Sequence, residues 1–174
     1  MTLEALPILL AQADPPAAAP MPTVDAMYVV GIASRVLHIL GAIILAGGLF
    51  YMKAVLSPKG PDACFADRRG IWAKWVGIAS FLLIATGLYN FFAINSGVKA
   101  DGGKLPSTYH MLFGIKFLLA LFVMFIGSIL AGRTEAADKF RAAMPKWLSL
   151  GWAAILAIVV IAAVMRSVSV PLLK

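Results

Sequence analysis

No aspartate or glutamate stands inside any long apolar stretch of this chain, and only eight acidic residues occur among its 174 positions. That absence excludes a proton-driven transporter built on intramembrane carboxylates. Cysteine is nearly absent as well: the single Cys64 permits no intrachain disulfide and offers no paired-thiol metal motif. Charged residues make up 13% of the chain against 61% hydrophobic ones, too few to cover a water-soluble domain of this size. A Ser/His/Asp set, a phosphate-binding loop, a zinc motif and an internal repeat are also missing. What remains is an integral membrane protein.

Four apolar stretches organise it: Met27 to Met52, Trp75 to Val98, Leu105 to Gly132 and Trp147 to Met165. Each approaches or exceeds the ~20 helical residues that cross a hydrocarbon core of about 30 Å. The pattern predicts an all-α, four-helix transmembrane bundle with helices over about 27–56, 72–97, 107–132 and 145–170. These form one domain over 27–174. Breakers fit the divisions: Ser57-Pro58-Lys59-Gly60-Pro61 after the first helix, Asp101-Gly102-Gly103 and Pro106-Ser107 before the third, Pro145 before the fourth. Residues 1–26 read as a flexible outer tail rich in Pro and Ala. Ala11-Gln12-Ala13 resembles a small-residue cleavage site, but no Lys or Arg precedes its short apolar run, so the tail is the preferred reading over a cleaved signal peptide.

The net charge of +7 would suggest nucleic acid in a soluble protein. Here it is mostly an orientation signal. Lys53, Lys59, Arg68, Arg69 and Lys74 follow helix 1, and Arg133, Lys139, Arg141 and Lys146 follow helix 3. The opposite side carries only Lys99, Lys104 and Lys174. The positive-inside rule therefore predicts both termini outside, periplasmic for a bacterial inner membrane, and no nucleic-acid partner.

Three basic side chains and a histidine remain inside the spans: Arg35, His38, Lys116 and Arg166. An ionisable group in a bilayer is costly unless it finds a partner, a cavity or the headgroups, so each is a candidate functional residue. With ~1.5 Å of rise per residue, Arg35, His38 and Lys116 fall in the outer half or near the midplane. Arg166, Tyr89, Asn90, Tyr109 and His110 belong to that same half, which suggests an outward-facing polar pocket. The candidate cofactor-binding set is His38, Arg35, Lys116, His110, Tyr89, Asn90 and Arg166. Arg35 and His38 share a helix face with Gly31 and Ala42, and Tyr109, Phe113, Lys116 and Ala120 form a comparable stripe on helix 3.

The bland readings are snorkelling of the basic chains to lipid phosphates, an interfacial ring for His110 and a satisfied core hydrogen-bonder for His38. As a metal set, His38, His110 and Met111 combine imidazole with soft thioether, although the two histidines stand about two helical turns apart in depth. Met27 and Met165 are further thioethers in the same half, where methionine also serves as an ordinary gap filler. Ser34, Gly41 and Gly48 recur every seven residues on helix 1 and would allow close contact with another helix.

The run Arg35-Val-Leu-His38-Ile-Leu-Gly-Ala-Ile-Ile-Leu-Ala-Gly47-Gly48-Leu-Phe, with Thr86-Gly87-Leu-Tyr89 and Tyr109-His-Met-Leu-Phe-Gly-Ile-Lys116, resembles the copper-resistance D type of bacterial membrane domain over roughly residues 28–132. That resemblance implies copper handling or transport across the inner membrane. The histidine in helix 1, the Gly-rich Leu-Phe-Tyr segment and the lysine in helix 3 also look like the small four-helix protoporphyrinogen oxidases that bind b haem. There, positions matching His38 and Lys116 would bind cofactor or substrate. The expected cofactor is thus a copper ion or haem b, with an accessory subunit of a larger membrane complex as a third reading. A non-enzymatic role is the expectation; a catalytic version would be a haem-dependent membrane oxidoreductase. The excess positive charge favours an anionic partner, such as a haem propionate, a porphyrin carboxylate or a lipid phosphate of the surrounding bilayer.

Overall fold

A computed structural model of the chain describes residues 25–56 and 63–169. These residues form five helices and, among the described residues, no strand: α1 Ala26–Tyr51, α2 Ala63–Ala100, α3 Ser107–Ala131, α4 Glu135–Ala142 and α5 Met144–Ser169. Four of them are long and apolar enough to cross a membrane. The predicted Ser57–Pro61 stop and all but the last two residues of the predicted outer tail lie outside the described residues.

Each helix boundary has a local cause. Asp25 caps α1, its carboxylate accepting a hydrogen bond from the Tyr28 amide at 2.7 Å. At its other end α1 runs into a π-helical turn, Met52–Leu56. α2 starts at Ala63, well before the expected position near 72. It stops where Gly102 takes a positive φ of 73° and the Gly103 amide donates to the Val98 carbonyl at 2.8 Å. α4 lies in a stretch read from sequence as loop. Thr134 caps it, accepting from the Ala137 amide, and Glu135 and Asp138 sit in its first turn where the helix dipole favours acids. α4 is tied to α3 by the buried Arg141, which donates to the Leu130 and Gly132 carbonyls and pairs with Asp138. These bonds satisfy carbonyls that the end of α3 would otherwise leave open.

The long helices pack as two pairs, α1 with α2 and α3 with α5. The small residues of α1 make the first pairing. Ser34 donates to the Thr86 carbonyl at 3.5 Å, Gly41 lies over Ala79, Leu82 and Leu83, and Gly48 takes the Trp72 ring. The seven-residue stripe is therefore consumed inside this chain, as a bundle contact between its own helices. A Cβ on Gly41 would stand 3.1 Å from Leu83 Cγ and 3.2 Å from the Ala79 carbonyl oxygen. Gly41→Val is accordingly expected to lower stability by about 1–3 kcal/mol through overpacking, read as a lowered thermal midpoint in detergent.

Where all four long helices converge, toward the α4 end, they share a dense core that includes Leu45, Leu49, Val76, Ile126, Leu130 and Leu148. A smaller cluster of Val98, Leu105, Tyr109 and Met165 closes the opposite, terminal end. Between the two clusters the pairs leave a gap.

A histidine–lysine cavity between the helix pairs

That gap is a cavity of about 310 Å³ lined by α1, α2, α3 and α5, at the lower end of the range for small-ligand sites. Its wall is mostly apolar and aromatic. The polar exceptions are His38 from α1, Asn90 from α2, and Tyr109 and Lys116 from α3.

Helix register explains why His38 and Lys116 meet. The Phe91 and Phe113 rings stack at 4.0 Å between centroids, which fixes α2 against the antiparallel α3. Lys116 lies three residues beyond Phe113, or ~4.5 Å deeper, and Gly87 lies four residues before Phe91, or ~6 Å deeper. His38 sits against Gly87, where an added Cβ would stand 3.2 Å from its Cε1. The imidazole and the ammonium therefore face the same layer of the cavity from opposite pairs.

Thr86 sets the state of His38. Its hydroxyl donates to the Leu82 carbonyl one turn back, which commits the only proton it has. Its oxygen can then only accept, so the contact with His38 Nδ1 at 2.9 Å places the ring proton on Nδ1. Nε2 keeps its lone pair. Fixing the tautomer through the remote nitrogen is how proteins prepare a histidine to ligate a metal. Thr86→Val, which keeps the shape and removes the acceptor, is expected to weaken any ligand held by Nε2 by roughly 10- to 100-fold, measurable by titration of the purified protein.

Among the described residues no carboxylate pairs with Lys116; Asp138 pairs with Arg141, on α4. Tyr109 is 3% exposed, and its phenol likewise makes no hydrogen bond to the described residues. A partly buried cation and a phenol in the lining of an apolar cavity are groups prepared for a ligand that brings acceptors. Around them Tyr109, Phe91, Phe113 and Phe117 form a ladder of nearly parallel rings, with interplanar angles of 13°, 21° and 22° between successive members. Offset-stacked rings of this kind suit a flat, apolar guest.

The other sequence candidates separate. Asn90 lines the cavity, whereas Tyr89, its neighbour, does not. Arg35 is exposed and outside the lining, because it occupies the flank of its stripe turned away from α2, which Ser34 and Gly41 face. His110 is exposed, its Nδ1 3.3 Å from the Pro106 carbonyl and its ring edge-on to Phe91. Met111 is 59% exposed and Arg166 is exposed near the end of α5. Thus neither His110 nor Met111 joins His38 at the cavity. Met124 and Met165 do line it. Among the described residues no three His, Cys, Asp or Glu side chains come together.

Comparison of the chain with family models, with curated proteins and with solved structures finds no match. The chemistry of the cavity rests on its own residues.

Proposed function

We propose that this protein binds a b-type haem or a related porphyrin in its membrane cavity, where His38 Nε2 would hold the metal and Lys116 would pair with a carboxylate. One observation carries the reading: an imidazole held by Thr86 and an ammonium with no carboxylate partner among the described residues share one layer of a mostly apolar and aromatic cavity. A porphyrin carries the complementary features, a flat apolar ring, a metal at its centre and anionic carboxylates at its edge. Bound haem would supply one-electron redox chemistry. The chain's own contributions are to hold the ring between the two helix pairs, keep water from it and neutralise its carboxylate. In this reading the protein resides in a bacterial inner membrane with both termini periplasmic, which rests on the distribution of Lys and Arg between the loops.

Copper handling is the second reading. It is favoured by a soft thioether in the cavity lining beside the His38 imidazole, Met124 toward the α4 end or Met165 toward the opposite end. The fixed charge of Lys116 opposes a cation there and favours an anion, which puts haem first. Titrating the detergent-purified protein with haemin and with metal-free protoporphyrin tests the proposal. A saturable Soret shift at one haemin per chain is expected, with weaker binding of the metal-free ring. No shift with either, alongside stoichiometric Cu(I) uptake, would establish the copper reading instead.

A further inference from the structure

The α4 end of the bundle carries a second group of polar atoms without partners, remote from the cavity. Arg69 and Trp72 lie on the α2 face that also presents Val76 to the bundle interior, at spacings of three and seven residues. Arg69 Nε and Trp72 Nε1 are both buried and unsatisfied. The Arg133 guanidinium, just past the end of α3, reaches back over the neighbouring Gly70, where its Nη2 stands 3.2 Å from the position a Cβ would take. Gly70 thus leaves the room that lets Arg133 approach α2 one residue along the helix from Arg69. No carboxylate among the described residues pairs with either arginine; Asp138 is taken by Arg141.

A buried N–H donor left unpaired costs stability, and two of them on one face of α2, with the Arg133 guanidinium over the adjoining Gly70, call for an acceptor that brings several oxygens and negative charge. Arginine forks match phosphate oxygens in that geometry, and an indole N–H adds a single donor. The location suits such a ligand, since Arg68–Ala100 is the part of α2 long and apolar enough to cross a membrane and Arg69 stands in its first turn, where a span of that length would meet the headgroups. We infer that Arg69, Trp72 and Arg133 form a binding site for a phosphate group, presented by an anionic lipid headgroup or by a free phosphate.

Native mass spectrometry of the detergent-purified full chain tests this with phosphatidylglycerol, phosphatidylcholine and inorganic phosphate as separate probes. Wild-type protein is expected to retain phosphatidylglycerol over phosphatidylcholine by roughly tenfold. The R69Q/R133Q variant should lose that preference, and the exposed Arg133→Gln change alone should reduce it several-fold without touching the bundle interior. A control, K139Q/K146Q, removes the same charge from the same end and should keep the preference. Retention of inorganic phosphate without lipid preference, lost in R69Q/R133Q, would support the site and assign it to soluble phosphate. An equal loss in the control, or equal binding in wild type and R69Q/R133Q, would overturn the proposal.

Discussion

Replacing His38 by alanine is expected to lower haem affinity by more than about 100-fold, because it removes the ligand itself where Thr86→Val removes only its orienting partner. The fold should survive. His38 is only partly buried and lines a cavity, so the truncation enlarges a space that already exists and breaks no core contact of the dense cluster near α4. The measurement is a haemin titration of both proteins, with circular dichroism as the control for helix content. Added imidazole should restore part of the spectrum in His38→Ala, since the space vacated can admit a free ring. If His38→Ala binds haemin as wild type does, the ligand role assigned to His38 is wrong.

The second large effect is expected at Lys116. Lys116→Met keeps the length and apolar stem of the side chain and removes its charge, so the loss isolates the carboxylate partner. A charge-assisted hydrogen bond contributes about 1.5–3 kcal/mol, or roughly 10- to 100-fold in affinity for haemin. Lys116→Arg should bind within a few-fold of wild type. The discriminating probe is haemin dimethyl ester, whose carboxylates are capped: wild type and Lys116→Met should bind it equally. A loss in Lys116→Met that persists with the ester would mean that Lys116 shapes the cavity and pairs with nothing.

The four spans could be read directly from the chain because each is a nearly uncharged run of transmembrane length. His38 and Lys116 stood out for the same reason, the cost of placing an ionisable group in such a run. What could not be read was which flanks of the helices meet. Arg35 and His38 share a stripe, yet only the second reaches the cavity, because Ser34, Gly41 and Gly48 turn α1 toward α2 and leave Arg35 on the uncovered side. Thr86 was visible as a hydroxyl in an apolar run. Its role depends on the same α1–α2 register and on which acceptor takes its proton. The ring ladder from Tyr109 to Phe117 required the register of α2 on α3, set by the stacking of Phe91 on Phe113. α4 had a local signal, the Thr134 cap followed by Glu135 and Asp138, obscured by its short length and polar composition.

The central claim is that the cavity layer shared by His38 and Lys116 holds a haem. It is tested most directly by a reduced-minus-oxidised difference spectrum of the protein purified from haem-replete bacterial membranes, with metal analysis of the same sample. A b-type haem spectrum with iron near one per chain, lost in His38→Ala, is the expected result. Bound copper without a haem band, lost in the same variant, would contradict it.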